Sequence, residues 1–283
     1  MRLLGRSSDV ELACGLRGVH GGSPRRATIT PLDGVAELAA SDADNPFTAA
    51  HEILARCLRR LGERLDPALD EVRRLTPLDR DLLVIAVDRR TFGDLRYQTM
   101  RCPLPECKAR MDIELDLSTP TAPEVAPNQE RALSLADGRQ LRVRLPTAGD
   151  QEALYTVAAE ARAAALVRRC AVPGVSGGSP EIESIEPREL LKIALAIGEA
   201  TPRLDLALDL ECPKCGVAFQ HTYEPVRGLL GQLQGGRAGL LAEVHALALH
   251  YHWSHAEILG LPRSLRREYL ALLEREFGGG GLT

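Results

Sequence analysis

The 283-residue chain has no excess of basic charge, no long apolar run and few aromatic rings. Its formal charge of −4 leaves no global field to hold nucleic acid non-specifically. The longest unbroken apolar stretch is residues 82–87, far short of the roughly 20 needed to cross a bilayer. The opening residues, MRLLGRSSDVELACG, carry no apolar core long enough for a secretory signal. Aromatics make up 4% of the chain, with a single tryptophan, Trp253. No phosphate-cradling glycine loop is present, neither GxGxxG nor GxxxxGK followed by Ser or Thr, and no GxSxG elbow. The acidic residues show no paired-carboxylate spacing. Nothing here argues for an enzyme. An apolar share of 45% and a charged share of 26% are ordinary for a globular chain with a sizeable core.

What stands out is the seven cysteines, at positions 14, 57, 102, 107, 170, 212 and 215. In a reducing compartment close cysteine pairs act as metal ligands or redox sites rather than as structural disulfides. Cys212-Pro213-Lys214-Cys215-Gly216 is a CPxCG knuckle. Gly216 permits the left-handed turn in which backbone N–H groups face the thiolates. Cys102 and Cys107 repeat the device with a four-residue spacer. Each pair supplies half of a tetrahedral site, so Cys102, Cys107, Cys212 and Cys215 together make one complete zinc site. Lost ligands, or two separate sites completed by His221 or other residues, are the alternatives. A thioredoxin-like motif needs a helix opening at Cys212, whereas residues 217–223 alternate like a strand.

The wide gap between the pairs is explained by an internal repeat. The text around Gly34, from Thr28 to Glu37, parallels that around Gly149, from Val143 to Glu152. Leu54–Cys57 parallels Val167–Cys170, and Pro77 and Pro187 each open an apolar helix. Each half closes on its cysteine pair and a strand, 111–117 or 217–223. The offset is about 110 residues and shrinks along the chain. These landmarks predict an α+β, mostly helical fold of two pseudo-repeats, each with helices and a zinc-knuckle hairpin, plus a C-terminal helical region. The expected boundaries are an N-terminal segment 1–27, repeats 28–117 and 141–228, a linker and hairpin at 118–140, and a helical region 238–277. Prolines stretch 118–128 into an extended linker, and Asp137-Gly138 marks a hairpin turn. Residues 172–180 and 232–237 read as loops. A pseudo-twofold pairing of the halves would let one zinc staple the knuckles.

Beyond residue 238, helical spacing over 240–249 is followed by Ser254 and Glu257, a capping box, and by a third helix over 264–277. The charged positions Arg263, Arg266, Arg267, Glu268, Glu274, Arg275 and Glu276 read as its solvated face. His245, His250, His252 and His255 lack any zinc-protease spacing and read as packed or exposed residues. Cys57 and Cys170 read as small core residues. Tyr251, His252, Trp253, Ile258 and Leu261 are the candidate partner-binding residues.

The stretch LTPLDRDLLVIAVDRRTFG (75–93), followed by Cys102-Pro103 and Cys107, resembles baseplate proteins of contractile-tailed bacteriophages. It is similar to their hub subunits and hub-assembly chaperones, and to relatives in phage-tail-like contractile injection systems. EVHALALHYHWSHAEILGLP (243–262) is similar to short tail-assembly proteins of such phages. The resemblance implies a non-enzymatic role in the bacterial cytoplasm or within the assembled tail-like particle, with baseplate, hub or tail-assembly proteins as partners. The short apolar runs leave no membrane partner expected. A zinc-ribbon nucleic-acid or transcription-associated module is the alternative. Acidic flanks, Asp112, Glu114 and Asp116 in one half and Asp209 and Glu211 in the other, oppose phosphate binding there.

Overall fold

Capping residues set the helix starts, and the element order follows from them. The computed structural model describes residues 8–16, 25–118, 120, 122–123, 125, 130–172, 182–233 and 235–277. Much of the expected 118–128 linker and residues 173–180 of the expected loop lie outside them. The fold is mixed α+β, about half helical, with strands in small antiparallel sheets. No helix is long and apolar enough to cross a membrane among the described residues.

The first half runs β1 (Ser8–Glu11), β2 (Arg26–Ile29), α1 (Gly34–Ser41), α2 (Pro46–Cys57), β3 (Leu58–Leu61) and β4 (Arg64–Leu65). It continues through α3 (Leu69–Arg73) and α4 (Pro77–Phe92) to the hairpin β5 (Leu95–Arg101) and β6 (Arg110–Asp116). Asp33, Asn45 and Thr76 each accept backbone N–H groups of the turn they open. Pro46 and Pro77 occupy the first helical position, where a missing N–H costs nothing. Strands β1 to β4 form one antiparallel sheet in sequence order. Ala27, Ile29, Leu58 and Leu61 face α2 and α4 in the main core. The expected boundary at residue 27 falls inside this sheet, because β1 pairs with β2 and Leu12 and Leu16 enter the same core. The fully buried Asp79 carboxylate fixes that segment by accepting the N–H groups of Ala13, Cys14 and Gly15 at 2.7–3.2 Å.

The second half runs β7 (Glu130–Ser134), β8 (Gln140–Arg144), α5 (Ala148–Tyr155), α6 (Arg162–Cys170) and α7 (Pro187–Ala200). The hairpin β9 (Ala207–Glu211) and β10 (Ala218–Thr222) follows, then α8 (Pro225–Gln232). After α6 the backbone returns to β8 through a Val143–Ala171 bridge, as β3 returns to β2 after α2. Cys57 and Cys170 are the last residues of α2 and α6, and both are buried. Helix α8 then crosses to the first half, placing Val226 and Leu229 in the main core. Beside it the Tyr223 hydroxyl lies 3.5 Å from the buried Asp88 carboxylate, which Arg96 also holds at 3.0 Å. Gly228 makes room for that tyrosine, since a Cβ there would sit 2.0 Å from the hydroxyl.

The C-terminal region is three helices, α9 (Gly236–Tyr251), α10 (His255–Leu259) and α11 (Arg263–Phe277), around Leu240, Val244, Leu247, Ile258 and Leu273. The solvated face expected for α11 is not wholly solvated. Arg266 is fully buried and joins Glu37 of α1 and Glu243 of α9, and Arg263 also pairs with Glu37. Arg266, Tyr269, Leu270 and Leu273 lie on one helical stripe, so packing this face necessarily buries the arginine. Two carboxylates make that tolerable, as a buried charge needs partners.

One small device docks this region and recurs between the halves. Gly34 and Glu37, on one face of α1, receive α10 and α11: a Cβ on Gly34 would lie 3.0 Å from the Leu259 Cα, and Glu37 accepts from Arg263 and Arg266. Gly149 and Glu152, on one face of α5, receive α3. A Cβ on Gly149 would lie 3.0 Å from the Arg73 Cβ, and Glu152 accepts from Arg73 Nε and Nη2 at 2.8 and 2.9 Å. The missing side chain admits incoming backbone, of α10 at Gly34 and of α3 at Gly149, and the glutamate one turn on clasps an arginine, from α11 in the first case and from α3 in the second.

Candidate metal centre

The alternation read from residues 111–117 and 217–223 gives each hairpin one apolar face. Met111 and Ile113 of β6 meet Leu208 and Leu210 of β9 and Phe219 of β10, and this packing lays the two hairpins together. Their turns end at the cysteines. The Cys102 N–H donates to the Ala109 carbonyl and the Cys212 N–H to the Val217 carbonyl, both at 2.9 Å. The residue after the second cysteine is left-handed in each turn, Gly216 at φ +70° and Lys108 at φ +45°. Glycine takes that conformation without strain, whereas Lys108 is held in it by the turn in which its N–H donates to the Leu104 carbonyl. The two-residue difference in spacer is absorbed there.

The four sulfurs converge. Cys102 Sγ lies 3.7 Å from Cys215 Sγ, Cys107 Sγ lies 3.8 Å from Cys212 Sγ, and all four are within 4.8 Å of one another. A tetrahedral ion with metal–sulfur bonds of about 2.3 Å requires sulfur–sulfur edges of about 3.8 Å. The cluster could therefore hold a metal ion. It is the one such grouping of Cys, His, Asp and Glu side chains among the described residues, and His221 of β10 and the four C-terminal histidines are not in it. Cys102 and Cys212 are buried, Cys107 is half-buried and Cys215 exposed, so the site sits at the edge of the hairpin core.

Backbone geometry favours anionic sulfur. N–H groups of Cys215 and Lys214 turned toward Cys212 lower its pKa to about 7 against the cost of burial. Burial, reinforced by the neighbouring thiols, pushes Cys102 up to about 12. At Cys215 the Val217 N–H lowers the pKa, but burial and the thiols of Cys212 and Cys107 outweigh it and the net direction is upward. Without a cation, four close thiols cannot all ionise; a divalent ion supplies the charge that lets them. No helix opens at Cys212, since a turn and then β10 follow it, unlike a thioredoxin-like site.

The candidate partner residues do not share one surface. Tyr251 and Trp253 stack at 4.9 Å between ring centroids, and both meet Tyr269 of α11 edge-on. Tyr251, Trp253 and Leu261 are half-buried and His252 is exposed. Ile258 is fully buried in the helical core, where capping by Ser254 and Glu257 directs it, so it presents nothing to a partner. Tyr269 was not among the expected residues. Its place one turn beyond Arg266 is the signal that points it inward.

Neither family models nor curated proteins nor solved structures give a match to this chain.

Proposed function

We propose that this chain is a duplicated, zinc-stapled interaction protein that assembles or forms part of the baseplate of a contractile phage tail or tail-like injection system. The observation that carries the metal is the four-sulfur cluster with tetrahedral spacing, contributed equally by two hairpins more than 100 residues apart. Four thiolates with no open position suit structural zinc, which closes its coordination sphere and takes part in no chemistry. The zinc then ties the halves together, and its binding energy becomes folding energy.

The duplication is supported by features in matched positions: the two glycine–glutamate clasps, Cys57 and Cys170 at helix ends, and the left-handed residue after each cysteine pair. The baseplate role is supported by the two resembling segments, one on α4 running into the first hairpin and one spanning α9 and α10. Exposed His252 and half-buried Tyr251 and Trp253 offer the face for a hub or tail-assembly subunit, in the bacterial cytoplasm.

Metal analysis of protein purified without chelator should find one zinc per chain. Protein that is folded and metal-free would end the staple reading. Co-expression with the hub and wedge subunits of a contractile tail should co-purify a complex, lost on His252→Ala combined with Trp253→Ala. A chain that holds zinc yet captures none of these subunits would leave the staple standing and remove the baseplate role.

A further inference from the structure

A cleft of about 610 Å³ lies where the two halves meet, and none of the four clustered cysteines lines it. The first turns of α2 and α4 form one side. The first turn of α8, the end of α7, and parts of α5 and α6 form the rest. Most of the wall is apolar. Phe47 and Tyr155 meet edge-on at 5.8 Å between ring centroids, beside Leu78, Leu154, Leu166 and Ile197. Gly198 of α7 helps to keep the space open, since a Cβ there would find nothing nearer than the Arg203 guanidinium at 4.0 Å. Clefts of about 300–1,000 Å³ with apolar walls and a few polar groups are the usual seats of small ligands.

The charges in the wall do not cancel once every pair is counted. Arg80 holds Asp81 at 2.7 Å and Arg227 holds Glu224 at 2.8 Å, which accounts for both carboxylates that line the cleft. Arg203 is left over, exposed and without an ion pair among the described residues. Arg80 is itself fully buried, with its guanidinium 4.9 Å from the centre of the Phe47 ring. Its Nε and Nη2 donate to Asp81 and its Nη1 to Gln151. Two of the five N–H groups of that buried cation therefore have no acceptor among the described residues. The positive ends of three helix dipoles also lie at the wall, where Pro46, Pro77 and Pro225 open α2, α4 and α8. The N–H groups that begin α8 carry no side-chain cap.

We propose that this cleft binds a small apolar carboxylic acid, with its hydrocarbon against Phe47, Tyr155, Leu154 and Ile197 and its carboxylate held by Arg203. The apolar wall supplies most of the affinity, and the unpaired cation with the helix ends selects an anion over a neutral or cationic head. The inference rests on neither the zinc staple nor the baseplate role.

The test is calorimetric titration of the full chain with octanoate, octan-1-ol and octylamine. Octanoate should bind one per chain, octan-1-ol about tenfold more weakly, and octylamine not at all. Arg203→Gln should bring octanoate down to about the affinity of octan-1-ol and leave octan-1-ol unchanged. Gly198→Leu places a side chain in the open space and replaces a helical glycine, so it should abolish binding without lowering the melting temperature. No binding of octanoate, equal binding of the alcohol, or preference for the amine overturns the proposal. So does octanoate binding that Arg203→Gln leaves unchanged, or that persists in a stably folded Gly198→Leu protein. Metal analysis of the same samples keeps the outcomes apart: a metal-free chain that binds octanoate removes the staple and leaves this site standing.

Discussion

The two clasps use the same pair of residues and reach very different depths. At Glu37 the incoming Arg266 is fully buried, and a second carboxylate, Glu243, completes its pairing. At Glu152 the incoming Arg73 is about a third exposed, and the carboxylate takes further hydrogen bonds from Thr48 and His51. The difference lies in what carries the arginine. Helix α11 is 15 residues long and packed in a three-helix unit that excludes water, whereas α3 is a five-residue helix at the rim. One sequence device thus gives a locked joint in one place and a partly solvated one in the other. The four-cysteine cluster, which could hold a metal ion, lies like the Glu152 clasp between the two halves, whereas the Glu37 clasp docks the C-terminal helices onto the first half.

The largest expected effect separates the metal joint from the clasps. Cys212→Ser should release zinc and lower the melting temperature by about 10 °C or more, since metal binding and folding share one free energy. Chelation of the unsubstituted protein should produce the same shift. If the melting temperature barely moves, the Glu152 clasp and the packing around it hold the halves and the zinc is no staple. Next comes the depth of the clasps themselves. Glu37→Gln leaves a fully buried arginine with one carboxylate and should cost about 3–5 kcal/mol. Glu152→Gln removes a charge from a more solvated pair and should cost about 1–2 kcal/mol. Equal losses by chemical denaturation would show that burial does not distinguish the two joints.

Much of this arrangement was legible in the sequence, for identifiable reasons. Prolines and caps at 77, 187 and 254 are local signals, and the helices begin where they lie. Cysteine pairs are local too, so the four metal candidates could be named, and the parallel landmarks gave a reason for them to meet. The clasps were visible only as matched text. Nothing near Gly34 says that Arg266, more than 200 residues away, lies against it. Arg266 itself carried a usable signal, because it heads an i, i+3, i+4, i+7 stripe with Tyr269, Leu270 and Leu273. At Arg266 periodicity outweighs charge. The association of residues 8–11 with the first sheet had no such signal, since a four-residue edge strand is too short to show alternation.

The second clasp should respond to acid through His51. This side chain is fully buried, its Nδ1 is 2.9 Å from Glu152, and its Nε2 has no partner. Burial lowers its pKa from 6.5 to about 4, despite the hydrogen bond to Glu152. Between pH 6.5 and about 4 the unfolded chain therefore binds a proton that the folded chain refuses, and stability falls as the pH falls through that window. The loss is on the order of 3 kcal/mol and is complete near pH 4. Glu152 opens a second window. Burial raises its pKa, but hydrogen bonds from Arg73, Thr48 and His51 prevail and bring it to about 2, so its contribution is lost as pH falls from about 4.5 toward 2. His51→Phe should flatten the first window and, by removing one of the hydrogen bonds that hold the Glu152 pKa down, narrow the second without abolishing it. Since both proteins share the four-cysteine cluster, the difference between their denaturation curves at each pH removes its contribution. Parallel curves from pH 7 to pH 4 would rule His51 out.

The smallest expected effect is the most direct comparison of the two joints. Replacing glycine by alanine within a helix gains about 0.5–1 kcal/mol of backbone entropy where there is room. At Gly149 the new methyl would meet the Arg73 Cβ at 3.0 Å and the Arg73 carbonyl at 3.2 Å. A short rim helix can give by a few tenths of an ångström, so strain and entropy should nearly cancel. At Gly34 the methyl would meet Leu259 Cδ2 at 2.8 Å and the Leu259 Cα at 3.0 Å. That backbone is braced by the Arg263 N–H bond to the Leu32 carbonyl and by the buried arginine pair, and it cannot retreat without opening both. Gly34→Ala should therefore cost about 1–2 kcal/mol net, with Gly149→Ala close to neutral. If Gly149→Ala proves the more damaging, the rim helix is the rigid partner, and the locked and solvated joints must be exchanged.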